Sequence, residues 1–264
     1  MSTKMTGELD PRIRLEGPLN FRDLGGYGTR AGMRIRSGLV YRADNLAKLS
    51  PSDIDRLGAL GLHTVIDLRS DEEVDRLGRF PVGAYPSPLT YTHLSLVEDV
   101  VGVRDPNMDD QTYMNARYQH LLEGGTDAII ASFRIFARPT SYPLVFHCVA
   151  GKDRTGLIAA LLLDLLGVPD ETIAQDYQLT DRATAEWFDR VRSTQPEEIE
   201  TIQQIPAVLF TANPETILSL LARIRSTTGT IEKWLLTHGV LTEEIDSIRE
   251  LLLTKRDDGI TIDT

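Results

Sequence analysis

Apolar positions along this chain fall into two rhythms, one of strand length and one of helical period. Short apolar runs stand at Leu39-Val40-Tyr41, Thr64-Val65-Ile66-Asp67-Leu68 and Pro143-Leu144-Val145-Phe146, with a weaker one over Tyr91 to Leu96. Helical signals lie between them. Ser50-Pro51-Ser52-Asp53 offers a capping hydroxyl, a proline at the first helical position and a carboxylate in the positive first turn, and Gly61 closes that helix. One helix is expected from about Thr112 to Leu122, and another from about Thr126 to Ala137, where Ile129, Ile130, Phe133, Phe136 and Ala137 share a face. Leu157 to Leu166 is apolar nearly all round but only about ten residues long, which fits a buried central helix and not a membrane span. Gly167 and Pro169 stop it, and Asp170 to Leu179 makes a further helix. The sets Ile217-Leu220-Leu221-Ile224, Ile231-Trp234-Leu235 and Ile245-Ile248-Leu251-Leu252 predict three amphipathic helices near the C-terminus.

Two stretches break the rhythm. Val97 to Gln111 is acidic and turn-rich and reads as a loop, while Asp181 to Pro214 is mixed and polar and reads as helical pieces over the surface. Strands alternating with helices imply an α/β fold: a central, mostly parallel sheet flanked by helices, with a helical C-terminal extension. The polar stretches leave a helical lid open. There is no repeat and no clear linker, so the expected organisation is a loose lead-in over residues 1–18 followed by a single domain over residues 19–264.

Charge and cysteine content narrow the functional classes. Lys plus Arg is 28 and Asp plus Glu is 39, a balance of −11. A general nucleic-acid binder or a protein stably held at an anionic membrane needs a basic face, so neither is expected; a small basic pocket remains compatible. The single cysteine, Cys148, excludes an internal disulfide and a multi-cysteine zinc site. The five histidines are scattered without helical spacing, so no metal is expected, and no cofactor is called for. The N-terminus lacks an apolar signal core, which makes the cytoplasm the default location and leaves export without a classical signal open.

The informative segment is His147-Cys148-Val149-Ala150-Gly151-Lys152-Asp153-Arg154-Thr155-Gly156, between a strand and a helix. Unpaired N–H groups at a helix N-terminus carry positive partial charge, and a short loop wrapped onto them makes an anion nest. Val149, Ala150, Gly151, Lys152, Asp153 and Arg154 would form that nest. Arg154 can grip two phosphate oxygens at once, and Lys152 adds a second full charge. A cysteine at the base of such a nest is held as the thiolate, placed for in-line attack on phosphorus.

A cysteine, five residues, an arginine and a hydroxyl residue resemble the signature of cysteine-dependent phosphatases. The resemblance implies that Cys148 is the nucleophile and forms a phosphocysteine, that Arg154 binds phosphate in ground and transition states, and that Thr155 hydrogen-bonds the departing thiolate. It narrows with Asn20-Phe21-Arg22-Asp23-Leu24-Gly25-Gly26, Val65-Ile66-Asp67-Leu68-Arg69-Ser70 and the Gly-Lys-Asp-Arg loop, which are similar to the bacterial protein-tyrosine phosphatase B family. That family is related to dual-specificity and phosphoinositide phosphatases. The implied partners are therefore phosphorylated proteins or phosphoinositides, and the implied substrates are phosphotyrosine together with phosphoserine, phosphothreonine or inositol phosphates. The resemblance also implies a catalytic part for Asp153; most relatives carry the general acid on a distant loop, but no distant motif stands out here and this loop holds a carboxylate, so Asp153 is the expected acid.

Each remaining polar residue has two readings. Asp153 is either that acid or an ion-pair partner for a nearby arginine. Asp67, at the end of a strand, either orients Arg154 or acts as an acid, or else serves a structural pair with Arg69. Asp99, Asp105, Asp109 and Asp110 lie where relatives carry a movable acid loop, but no Trp-Pro-Asp triplet singles one out. Arg22 and Asp23 are expected to pair and hold the Gly25-Gly26 turn. His147 is expected to hydrogen-bond backbone near the loop and tune the thiolate. A nucleotide-binding lysine loop fails, because Phe146 and Asp153 stand where it needs glycine and a hydroxyl residue. An anion reductase lacks resolving cysteines, and a non-catalytic phosphate binder would not need Cys148.

Overall fold

The four apolar runs lie side by side in one sheet. A computed structural model describes residues 11–96, 105 and 107–255. Its strands are β1 (Arg22–Asp23), β2 (Met33–Ile35), β3 (Val40–Ala43), β4 (Thr64–Asp67), β5 (Thr90–His93), β6 (Leu144–His147) and β7 (Leu253–Lys255). Its helices are α1 (Pro51–Ala59), α2 (Asp71–Leu77), α3 (Asp110–Gly124), α4 (Thr126–Phe136), α5 (Asp153–Leu165), α6 (Asp170–Gln178), α7 (Thr180–Thr194), α8 (Ile199–Ile202), α9 (Pro214–Thr228), α10 (Ile231–Thr237) and α11 (Thr242–Leu252). The main sheet runs β1-β3-β6-β4-β5, parallel except for β1, and β2 pairs with β7 in a separate antiparallel ribbon.

The period of two along each strand divides the core. Leu144 and Phe146 of β6, with Ile66 of β4 and Val40 of β3, face a large helical layer that includes α3, α4, α5 and α9. Val145, Val65, Tyr41 and Ala43 point the other way, onto Phe21, Leu57, Phe80 and Tyr85. Every residue of β3, β4 and β6 is buried, as parallel strands covered on both faces require. In-register pairing puts Ala43, His147, Asp67 and His93 in one row at the carboxyl edge. That row is the floor of the site.

Several boundaries differ from the periodicity. The central helix begins at Asp153 and not near Leu157, because its first turn is made of polar loop residues that carry no apolar signal. The polar stretch after Asp181 starts with one continuous helix, α7, and only then breaks into short turns. The run Tyr91–Leu96 is a strand only to His93. Of the expected loop Val97–Gln111, residues 97–104 and 106 lie outside the described residues.

Residues 11–18, expected to be loose, are fastened. Ile13 donates its N–H to the Phe21 carbonyl, and the Asp53 carboxylate accepts from the N–H groups of Glu16 (2.6 Å) and Gly17 (2.9 Å). Arg190 of α7 reaches over to the carbonyls of Gly17 and Glu16. Among the described residues no helix is long and apolar enough to cross a membrane.

Candidate active site

Cys148 is the first residue past the carboxyl end of β6, and five residues separate it from Arg154 in the first turn of α5. No side chain caps that helix, so its orphan N–H groups remain available at the loop.

The loop's shape follows from where its carbonyls go. Asn45 donates its N–H to the Val149 carbonyl (3.0 Å), and Asn20 Nδ2 donates to the carbonyls of Ala150 (3.0 Å) and Gly151 (3.3 Å). Arg42 Nη2 also donates to Gly151 O (2.7 Å). A planar trans peptide points its N–H opposite its C=O. Three consecutive carbonyls bound to the protein body therefore turn the N–H groups of Ala150, Gly151 and Lys152 toward the loop's interior. Gly151 has φ +67°, and a Cβ there would lie 2.6 Å from the Ala43 carbonyl, so no other residue fits.

The donors that shape the loop are themselves held by one buried carboxylate. Asp176 of α6 accepts from Arg22 Nε (2.9 Å) and Arg42 Nη1 (2.5 Å), and Tyr27 adds its hydroxyl at 3.1 Å. Arg22 Nη1 donates to Asn20 Oδ1 (2.5 Å), which aims the amide of Asn20 at the loop. Burial alone would raise the Asp176 carboxyl, but Arg22 and Arg42 hold it down at about 2. The expected pairing of Arg22 with Asp23 is thus corrected. Arg22 points into the core toward Asp176, because side chains adjacent on a strand face opposite ways. Asp23 does hold the glycine turn, accepting from the N–H groups of Gly25 (2.7 Å) and Gly38 (2.7 Å).

Arg154 is oriented by Glu73, with Nη1 to Oε2 at 2.5 Å and Nη2 to Oε1 at 2.9 Å. Glu73 is fixed in turn by the Ser70 N–H in a capping box at the start of α2. Burial works to raise Glu73, and Arg154 keeps it below the usual carboxylate range. This resolves the readings of Asp67. Its carboxylate is taken by Arg69 (Nε to Oδ1 2.8 Å, Nη2 to Oδ2 2.6 Å) and by the Tyr91 hydroxyl (2.6 Å), so it serves the structural pair and does not orient Arg154.

Cys148 is buried at 2% exposure. His147 beside it is fully buried, and its Nδ1 meets the Cys148 carbonyl at 3.2 Å, the backbone contact expected for it. A carbonyl only accepts, so Nδ1 carries the proton. Nε2 lies 3.6 Å from Asp67 Oδ2. Burial pushes the imidazole down to about 4 despite the Asp67 charge, so the ring is neutral near neutral pH. The Thr155 hydroxyl is buried without a hydrogen-bond partner among the described residues.

Two loop residues sit differently from expectation. Lys152 is not free beside the nest. It is 2% exposed, its Nζ donates to the carbonyls of Leu209 (2.6 Å) and Thr211 (3.3 Å), and it lies 3.5 Å from Asp153 Oδ1. Those carbonyls belong to the polar stretch that left a lid open in the sequence. Asp153 accepts from the Tyr118 hydroxyl at 2.9 Å, and the cation beside it is Lys152. Asp109 caps α3 by accepting from the Thr112 N–H, and Asp105 accepts from the Asn107 N–H. Asp110 opens α3, and Asp99 is outside the described residues.

Sequence reasoning passed over Asn20, Arg42, Glu73, Asp176 and Tyr118. Asn20 had a signal, as the first residue of the quoted Asn-Phe-Arg-Asp block. Glu73 had one too, standing three residues after Ser70. The other three are brought together only by tertiary contact. Among the described residues, no group of three or more His, Cys, Asp or Glu side chains is arranged to hold a metal ion.

A strand, a loop whose carbonyls are pinned outward and an uncapped helix around a buried cysteine define the class: a cysteine-centred loop of inward-turned N–H groups on an α/β sheet. The sequence model of a tyrosine phosphatase family matches residues 13–254, and the chain belongs to that family. It is 25% identical over 283 aligned positions to the triple specificity protein phosphatase PtpB of Mycobacterium tuberculosis, covering 90% of this chain and 98% of that one. It is 35% identical over 175 positions to a protein of Cupriavidus necator named as a tyrosine-protein phosphatase, covering 64% of this chain and 62% of that one. A tyrosine-protein phosphatase of Nostoc commune is 35% identical over 157 positions, covering 55% of this chain and 49% of that one.

Proposed function

We propose that this chain is a phosphoric monoester hydrolase acting in two steps through Cys148. In the first, the Cys148 thiolate attacks phosphorus, the bond to the ester oxygen breaks, and the alcohol or phenol departs with a proton. In the second, water attacks the phosphocysteine and passes a proton to the carboxylate left by the first step, the S–P bond breaks, and the thiolate and inorganic phosphate are released. The N–H groups of the loop from Val149 to Arg154 and the Arg154 guanidinium hold the equatorial oxygens through both steps. Asp153 is the proposed donor of the proton, and the unpartnered Thr155 hydroxyl is available to the departing thiolate.

One observation carries this reading. The three loop carbonyls that would repel an anion are all bound to the protein body, directly beside a buried thiol. A loop serving only as a helix connection has no reason to spend Asn20, Arg42 and a buried carboxylate on that geometry.

The proposed substrates are phosphotyrosine and phosphoserine or phosphothreonine in proteins, with phosphoinositides included on the strength of the triple-specificity name of the mycobacterial relative. For inositol phosphates Lys152 must first release the Leu209 and Thr211 carbonyls, since its charge is already engaged. The balance of −11 favours soluble substrates over membrane-bound ones and gives no basis for nucleic acid. We take residues 11–255 as a single catalytic domain, because α9 packs on α3, α5 and α6 in the same core as the sheet and the lead-in segment is fastened to that body, and cytoplasmic residence belongs to the same proposal.

The test is Cys148→Ser assayed on p-nitrophenyl phosphate, with vanadate binding measured in parallel. Serine is not ionised at neutral pH and has no partner base here, so turnover is expected to vanish while vanadate still binds. More than a few per cent residual activity would remove Cys148 from the nucleophile's role.

A further inference from the structure

Asp153 is attached to two phenols that the reaction as described does not use. Tyr118 of α3 and Tyr177 of α6 are each 1% exposed and meet edge-on, with ring centroids 6.3 Å apart. The Tyr118 hydroxyl donates to Asp153 Oδ1 at 2.9 Å, and the two hydroxyl oxygens are 2.5 Å apart. Tyr177 is locked against α5, since a Cβ at Gly156 would come within 2.9 Å of its ring.

The direction of this chain of bonds is fixed by counting protons. Burial and the nearby Asp153 charge raise both phenols, so each keeps its single proton. Tyr118 gives its proton to Asp153, and the bond between the phenols is therefore donated by Tyr177. The order is Tyr177 to Tyr118 to Asp153. Lys152 Nζ also faces Oδ1, at 3.5 Å. No hydrogen bond engages Oδ2 among the described residues.

We propose that Tyr118, backed by Tyr177, is a positioning residue that assigns the two oxygens of Asp153 different tasks. Oδ1 is occupied by the phenol, and Oδ2 carries the proton that goes to the leaving group. A proton on Oδ1 would collide with the incoming Tyr118 O–H or force both phenols to reverse, so protonation goes to the free oxygen. The same bond holds the side-chain torsion of Asp153, which alignment of an acid with its acceptor demands. As the proton leaves Oδ2, Asp153 becomes a carboxylate and the phenol bond persists, so nothing must rearrange in the step. This inference rests on the proposed acid role of Asp153.

The experiment measures kcat and KM for Tyr118→Phe, Tyr177→Phe, Asp153→Asn and Tyr118→Phe/Asp153→Asn on p-nitrophenyl phosphate and on a phosphoserine peptide. Vanadate affinity is measured in each variant. Tyr118→Phe is expected to lower kcat on phosphoserine by about tenfold, a fraction of the roughly 10²–10⁴-fold that a placed acid supplies. On p-nitrophenyl phosphate, whose leaving group needs little help, the loss should stay below about twofold, with KM and vanadate affinity unchanged. Tyr177→Phe should do the same more weakly, and Tyr118→Phe should add nothing in the Asp153→Asn background. Should Tyr118→Phe unfold the protein by stranding the Tyr177 hydroxyl, the Tyr118→Phe/Tyr177→Phe double variant removes both groups together and takes its place. Equal losses on the two substrates, or a Tyr118→Phe effect that persists in the Asp153→Asn background, would overturn the positioning role while leaving the acid intact. An Asp153→Asn variant with no leaving-group dependence would instead overturn the acid reading, and the tyrosine role with it.

Discussion

The two sides of the loop from Cys148 to Arg154 are built on opposite principles. The inner side rests on Asn20, Arg22, Arg42 and Asp176, none more than 1% exposed, joined into one network around a single carboxylate. The outer side rests on Lys152, whose ammonium holds two carbonyls of the segment around Leu209 and Thr211. That segment is secured by separate contacts: the Ala212 N–H to Asp181 Oδ1 at 2.6 Å, and Phe210 stacked on Trp187, which is 36% exposed. A buried ionic network stands or falls as a whole, because removing one partner strands the other charges without solvent. The contacts of the Leu209–Ala212 segment are separate from one another, with Leu209 and Phe210 half-buried and Thr211 exposed, so one can be lost without stranding the rest. The loop thus has one side whose shape is fixed by a single connected network and another held by contacts that do not depend on one another.

The largest break in this comparison is Asp176→Asn. It leaves Arg22 and Arg42 facing one another without a counter-charge, and should cost about 3–5 kcal/mol in urea unfolding. It should also lower turnover steeply, since Arg42 and Asn20 would no longer pin the loop carbonyls. Near wild-type activity in this variant would show that the loop holds its shape unaided. A second effect concerns acid. His147 lies folded at about 4 against an ordinary 6.5, so between those values the unfolded chain binds a proton that the folded chain refuses. Stability is therefore complete above pH 6.5 and falls as pH drops toward 4, by about 2 kcal/mol at pH 5. His147→Gln should flatten that part of the stability–pH curve, and an unchanged slope would contradict the assignment. The smallest effect is at the mouth. Trp187→Ala should cost about 1 kcal/mol and leave kcat/KM for p-nitrophenyl phosphate within about twofold of the parent. A loss rivalling that of Asp176→Asn would erase the contrast between the two sides.

Legibility in the sequence followed the reach of each interaction. Strands β3, β4 and β6 were readable because burial on both faces makes each a continuous apolar run, and parallel order followed from the helices between them. The loop from Cys148 to Arg154 was readable because its chemistry is local in the chain. The sequence points Arg22 to Asp23, its neighbour, whereas Asp176, its partner in space, lies 154 residues away. Nothing local to Lys152 announces that a segment 57 residues later supplies its acceptors. The start of α5 was misjudged for a different reason: hydrophobic periodicity is silent where a helix begins in a functional loop.

The ribbon of β2 and β7 has a consequence for biosynthesis. Arg36, just past β2, donates to the carbonyl of Leu253, which is 217 residues later in the chain. At about 5–20 residues per second, a ribosome delivers that partner only some 10–40 s after β2 has been made. Throughout that interval the edge of β2 is exposed, with Ile35 uncovered by the strand that finally buries it. The ribbon therefore closes on a schedule set by translation and not by folding, and until then the edge of β2 is guarded by its three-residue length and the charge of Arg34.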